Sequence, residues 1–128
     1  MQRVVVLGGG VGGTLTANLT ARKLKHEISN GEARVTVVDA TGAHAYQPGY
    51  MYIAMGGEHA EKLVRPERSL LDKNVELVVD TVTAIDTEAQ TVTLGAGTDL
   101  VYDQLVIATG ARILPEELPG FETDAHHF

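Results

Sequence analysis

Apolar positions fall into three kinds of run along the chain. At residues 4–7, Val-Val-Val-Leu stand consecutively and three of the four are β-branched, the pattern of a strand covered on both faces. Glycines follow at 8, 9, 10, 12 and 13, and apolar positions then resume at helical spacing. A helix is predicted over residues 12–26, with Val11, Leu15, Leu19 and Leu24 turned toward the sheet. Residues 34–39, Arg-Val-Thr-Val-Val-Asp, make a second strand; 40–49 is a loop of turn formers, and 50–57 an apolar turn of helix closed by glycines. A short helix is expected over 58–63, ending before Pro66, and a third strand over 75–80. From Thr81 the pattern becomes short alternating pieces at 81–86, 90–94 and 100–102 with turn-like segments between them, which reads as a three-stranded antiparallel meander. Residues 103–110 return to a buried parallel strand that ends in small residues, and 111–128 form a polar, broken tail.

The glycines between the first strand and the first helix carry the candidate chemistry. In Gly8-x-Gly10-x-x-Gly13, Gly8 permits the tight turn, Gly10 removes the Cβ that would block a pyrophosphate from the helix N-terminus, and Gly13 lets helix pack on strand. Free backbone N–H groups and the helix dipole then hold the phosphates. The same fingerprint asks for an acid after the second strand, on a ribose, and Asp39 stands there, 26 residues beyond Gly13. The polar stretch 25–32 accounts for the long spacing. Glycines that merely turn a corner are the alternative; strand, turn, helix, strand and acid in that order outweigh it. The expected fold class is therefore α/β, a Rossmann-like half with a parallel sheet plus the meander, which replaces the usual crossover helix. Its parts are a βαβ unit over 1–80, the meander over 81–103, the closing strand over 104–110 and the tail over 111–128. In such a sheet the loop after the second strand lies beside the ligand, which places Gln47 and Pro48 near its reactive ring.

Composition narrows the functions. A chain of 128 residues with 44% apolar content suits one domain. Its net charge of −7, with ten scattered Lys and Arg, argues against a nucleic-acid surface. It has no cysteine, which excludes a disulfide scaffold, a thiolate nucleophile, a redox dithiol and a sulfur-bound zinc within these residues. Five scattered histidines offer no metal-ligand spacing. No run approaches the roughly 18 apolar residues of a membrane span, and the short glycine-rich start does not suit a secretory signal, so a cytoplasmic location is expected. Tyr46, Tyr50, Met51 and Tyr52 read as core or lid residues, His44 as a loop histidine, and Arg65, Arg68 and Lys73 as a solvated basic face.

With Gly8-x-Gly10-x-x-Gly13, Asp39, the meander and Tyr102-Asp103-x-Leu105-Val106-Ile107-Ala108-Thr109-Gly110 in this order, nearly the whole chain resembles the flavoproteins with two dinucleotide-binding domains. Thr14-Leu15-Thr16-Ala17, Tyr46-Gln47-Pro48-Gly49 and His126-His127-Phe128 look most like the sulfide:quinone oxidoreductases and their flavocytochrome relatives; type II NADH dehydrogenases look similar over the same stretch. The resemblance implies FAD. By position, Gly8, Gly10, Val11, Gly12 and Gly13 would lie along the pyrophosphate, Asp39 on the adenosine ribose, and Val82 against adenine through its backbone. Gln47 and Pro48 would approach the isoalloxazine, Thr109 and Gly110 would close the site near the ribityl chain, and Ala40 and Ala108 complete the implied set.

The departures from that family matter equally. Relatives carry a second nucleotide-binding domain, a C-terminal return that covers FAD, redox cysteines that oxidise sulfide, and a quinone pocket with membrane-docking helices; none is found in these residues. The expectation is an N-terminal piece of a larger enzyme, catalytically silent alone, whose parent passes two electrons from sulfide through FAD to a quinone at the membrane periphery. A type II NADH:quinone oxidoreductase is the alternative within the fold, and a stand-alone nucleotide-binding module is the alternative of another class. Against the last, the meander is expected to lack a packing partner, leaving an apolar face through which the segment self-associates.

Overall fold

The structure is a computed structural model that describes residues 1–112, 114–117 and 119–120. Its centre is a four-stranded parallel sheet in the order β5-β2-β1-β9, formed by β1 (Gln2–Leu7), β2 (Ala33–Asp39), β5 (Val75–Val79) and β9 (Gln104–Ile107). Both the β1–β2 and β1–β9 pairs are parallel, with Val6 opposite Val37 on one side and Val106 on the other. The chain therefore steps away from β1 in one direction and returns on its other side, placing the switch point of the sheet between β1 and β9.

The period of two along β1 explains the layers. Val4 and Val6, with Val35, Val37 and Val75, face α1 (Val11–Lys23) and close around its Ala17 and Ala21. Val5 and Leu7, with Val38, face the opposite way and pack on Val92, Leu94 and Tyr102. Those three residues belong to or adjoin the antiparallel sheet β6 (Val82–Asp86), β7 (Thr91–Leu94) and β8 (Asp99–Val101). A side chain fully buried in either cluster contributes about 1.5–3 kcal/mol relative to exposure. The meander thus has a packing partner, contrary to expectation: it is the parallel sheet itself, whose second face no crossover helix covers.

Four further expectations are corrected. The first helix is not continuous to residue 26; it stops at Lys23, and a separate turn, α2 (Lys25–Ser29), follows Leu24. Its sheet-facing residues are Gly13, Thr14, Ala17 and Ala21, whereas Val11, Leu15 and Leu19 are 63%, 56% and 48% exposed. Leu24 does pack against the core. The expected short helix over 58–63 is a 3₁₀ turn at Ala60–Leu63. The closing strand ends at Ile107 and not at 110 and is only partly buried, because it forms the sheet's edge.

Loop 40–49 contains an unexpected strand, β3 (Ala43–Ala45), which pairs antiparallel with β4 (Val64–Pro66) and sets His44 opposite Arg65. After it come a 3₁₀ turn at Gln47–Gly49 and α3 (Tyr50–Ala54). Tyr46, Met51 and Tyr52 are more than half exposed and form no core. Arg65, Arg68 and Lys73 are exposed, as expected of a solvated face, but Arg68 has a second part: its guanidinium donates to the carbonyls of Leu71, Asp72 and Val75, and so closes the turn before β5. The final residues, His126-His127-Phe128 among them, lie outside the described residues.

Candidate functional site

The glycine turn stands at the carboxyl end of β1, against the end of β9. Gly8 has φ +100°, and a Cβ there would lie 2.4 Å from the Ala108 carbonyl oxygen, so only glycine suits the position. Gly13 is equally constrained from the helix side, since its Cβ would stand 1.8 Å from the Gly8 carbonyl oxygen. Gly10 differs. It is the N-cap of α1, and a Cβ on it would meet nothing within 4 Å. No side chain caps the helix and its first turn holds no acid, so the N-terminal amides around Gly10, Val11 and Gly12 remain available to a ligand. A cradle that a side chain at Gly10 would fill, backed by uncapped amides, suits a dinucleotide diphosphate.

Beside the turn lies a cleft of about 310 Å³ lined by Leu7, Gly8, Val38, Asp39, Ala40, Asp80, Thr81, Val82 and Thr109. Five residues singled out from the sequence, Gly8, Asp39, Ala40, Val82 and Thr109, thus meet around one space. Ala108 continues the β1–β9 ladder by donating to the Leu7 carbonyl at 2.8 Å. Gly110, with φ +76°, follows on the open side. Gln47 and Pro48 are not among the residues lining this cleft; they sit in the 3₁₀ turn that leads to α3.

Asp39 organises the wall of the cleft. One carboxylate oxygen accepts the Gly9 N–H at 2.9 Å, while the other accepts the amides of Thr41 and Gly42 at 3.0 and 2.7 Å and the Thr41 hydroxyl at 3.1 Å. Burial pushes the carboxyl up, but these donors outweigh it and hold the acid below the usual carboxylate range. Asp39 is therefore an ionised acceptor at the edge of the cleft. Asp80 plays a neighbouring part, accepting from Thr81 N–H at 2.7 Å and Ala96 N–H at 3.2 Å, and so ties a meander turn to the sheet. The arrangement offers amide donors for phosphates and an acceptor acid for a ribose hydroxyl, and no cysteine is present to act as nucleophile.

A model of the pyridine nucleotide-disulphide oxidoreductases matches residues 2–128. The chain belongs to this family. Its relatives are FAD-binding flavoproteins, and the cleft and open cradle agree with such a cofactor. The chain is 35% identical over 114 residues to the sulfide-quinone reductase of Aquifex aeolicus, covering 88% of this chain and 25% of that protein. It is 33% identical over 117 residues to the type II NADH:quinone oxidoreductase NdhA of Mycobacterium tuberculosis, covering 87% of this chain and 23% of the relative. Among solved structures, the Aquifex aeolicus sulfide:quinone oxidoreductase superposes with a TM-score of 0.75 at 30% identity, over 89% of this chain and 25% of the other. The chain thus spans about a quarter of the length of the pyridine nucleotide-disulphide oxidoreductases it matches.

Sequence reasoning missed what lies beneath the turn. Glu67 is fully buried, with its carboxylate on the Thr14 hydroxyl at 2.6 Å and on His44 Nδ1 at 2.9 Å. Nothing periodic marks a glutamate between two arginines as buried. One signal was present: Gly9, at a position the motif leaves free, where a Cβ would come within about 3 Å of both the Glu67 and the Asp39 side chains.

Proposed function

We propose that this chain is the FAD-holding segment of a flavin-dependent oxidoreductase of the sulfide:quinone type, whose parent transfers two electrons from sulfide to a quinone. The observation that carries the reading is the open, uncapped N-terminus of α1 at Gly10, beside a cleft edged by the ionised Asp39. Gly10, Val11 and Gly12 present the diphosphate donors, Asp39 accepts from the adenosine ribose, and Val82 meets the adenine with its backbone. Ala40, Ala108, Thr109 and Gly110 complete the walls; Gln47 and Pro48 lie toward the isoalloxazine. When bound, the flavin supplies the two-electron chemistry, and this segment contributes binding and orientation. An acid at the ribose also repels a 2′-phosphate.

The similarity to NdhA favours a second reading, a type II NADH:quinone oxidoreductase. These 128 residues hold no cysteine, so thiol chemistry toward sulfide belongs to polypeptide beyond them. A redox cysteine pair there selects the first reading, and a second glycine-rich nucleotide fingerprint that binds NADH selects the second. Taken alone, the segment is catalytically silent; because the meander is packed on the sheet, the self-association expected through its face is assigned instead to the exposed apolar side of α1, Val11, Leu15 and Leu19.

The test is FAD binding by the purified protein and by its Gly10→Val variant. The expected result is a yellow protein that loses flavin on substitution while its unfolding midpoint stays put, since the new side chain points into open space. Flavin retained by Gly10→Val would sink the assignment.

A further inference from the structure

The mechanism proposed above leaves one buried charged group without a part. Glu67 has no exposed surface and is not among the residues that line the cleft. Its two oxygens instead anchor two donors, each with a single proton that it shares in a three-centre contact between Glu67 and the Gly9 carbonyl. His44 Nδ1 lies 2.8 Å from Gly9 O and 2.9 Å from Glu67 Oε2, and Thr14 Oγ lies 3.2 Å from Gly9 O and 2.6 Å from Glu67 Oε1. A backbone carbonyl only accepts, so the Nδ1 atom facing it carries the proton, and the tautomer of His44 follows from the contact.

Peptide geometry turns this grip outward. The Gly9 carbonyl and the Gly10 N–H belong to one planar unit, and no cis peptide occurs among the described residues, so the two bonds point in opposite directions. Drawing the carbonyl inward onto His44 and Thr14 sends the Gly10 N–H outward, to the side where a Gly10 Cβ meets nothing. The peptide before Gly9 is held as well, since Asp39 accepts the Gly9 N–H. Glycine is the residue with the greatest freedom to lose, and in a run of three of them the aim of one amide is not set by local preference. Side chains from three separate elements set it instead.

We propose that Glu67, acting through His44 and Thr14, is a positioning residue that aims the Gly10 amide at the cofactor diphosphate. The inference rests on the FAD reading above. It assigns the buried acid to preorganisation of the cradle: without it, binding must order the glycine turn at the moment the ligand arrives. It also connects the strand that carries His44, and the Gln47–Pro48 turn just beyond it, to the phosphate end of the same ligand.

The experiment titrates FAD into the full-length apoprotein, following flavin fluorescence, and records thermal unfolding of each variant without ligand. Glu67→Gln keeps the volume but presents an amide N–H₂ to one of the two donors; the expected loss of FAD affinity is about tenfold or more, the size of one charge-assisted hydrogen bond. Val75→Ala, a core truncation on β5 remote from the turn, serves as the stability control and is expected to lower the unfolding temperature with affinity unchanged. His44→Leu should lose affinity as Glu67→Gln does. His44→Asn, whose amide nitrogen stands the same number of bonds from Cα as Nδ1, should restore most of it, which a merely structural role would not require. Unchanged affinity in both Glu67→Gln and His44→Leu, or a failure of His44→Asn to differ from His44→Leu, would overturn the inference while leaving the FAD reading intact. An unsubstituted protein that does not take up FAD would overturn both.

Discussion

The Gly13 Cα lies so close to the Gly8 carbonyl that a Cβ on the helix residue would stand 1.8 Å from that oxygen. The obstacle is backbone, not a flexible side-chain end, so it cannot move aside without lifting α1 off β1. Gly13→Ala should therefore cost about 1–3 kcal/mol or more as an overpacked contact. Urea unfolding measures the loss, and FAD binding should fall with it because the uncapped helix end shifts. Gly10→Val is expected to remove binding alone. Equal stability of Gly13→Ala and the parent protein would mean that the helix does not seat on the strand as described.

Asp39 joins the second strand to the glycine turn, and its removal should be felt in both. Asp39→Ala leaves the amides of Gly9, Thr41 and Gly42 without their acceptor. Losing one charged hydrogen-bond partner costs about 1–3 kcal/mol, and FAD affinity should weaken by a similar amount. Calorimetric titration of the variant checks this; an unchanged affinity would take Asp39 off the ribose.

Much of the architecture was legible because it depends on crude signals. Val4 to Leu7 and Val35 to Val38 are strands buried on both sides; the first reads as an unbroken apolar run and the second as one interrupted only by the β-branched Thr36. The central strand of the meander, β7, alternates between half-buried and buried positions, and its outer neighbour β6 is exposed along nearly its whole length. The facing of α1 was not legible, and the reason is distance. Hydrophobic ranking turns leucines inward, whereas a helix seated directly on a glycine turn admits only Gly13, Thr14, Ala17 and Ala21 beneath it. Of the cleft residues, Asp39 followed from the order of elements, and Ala40, Val82 and Thr109 from the resemblance to the flavoproteins. Glu67 and the inward turn of His44 did not, because burial of an acid depends on partners that arrive from β3 and α1, far away in sequence.

At the opposite end of the sheet, Arg3 and Asp103 predict a pH dependence. The Arg3 guanidinium donates to both carboxylate oxygens at 3.1 and 3.0 Å, and the Arg3 amide donates at 2.6 Å. The guanidinium hydrogen bonds first, then the amide and the positive charge, hold Asp103 down at about 2. A depressed folded-state value means that the contribution is fully present above the unfolded carboxylate value, about 3.9, and is lost as pH falls through the folded one. Stability should accordingly decline from about pH 4 toward pH 2. Asp39, also depressed, acts with the same sign. Asp103→Asn should flatten part of that acid limb in a pH series of chemical unfolding, and an unaltered limb would show that the pair is not coupled to folding.

The exposed side of α1 carries the apolar residues on which the proposed self-association rests. Val11, Leu15 and Leu19 recur every four residues along one face and are 63%, 56% and 48% exposed, while Ala17 and Ala21 beneath the helix are fully buried. Replacing Leu15 and Leu19 by Lys should then leave the unfolding free energy within about 0.5 kcal/mol for each change, as expected of surface sites. Ala17→Leu should cost about 1–3 kcal/mol, because the sheet below has no room for three more carbons. The same lysines should abolish self-association of the isolated segment in sedimentation velocity, since a charge buried at a contact without a partner is costly. If the double lysine variant unfolds as readily as Ala17→Leu, the leucines belong to the core. If the unsubstituted segment sediments as a monomer at every concentration, the apolar face is not a contact in the isolated piece. Association that disappears in the lysine variant with stability retained is the outcome that assigns α1 an inner face of small residues for the sheet and an outer face of leucines for another surface.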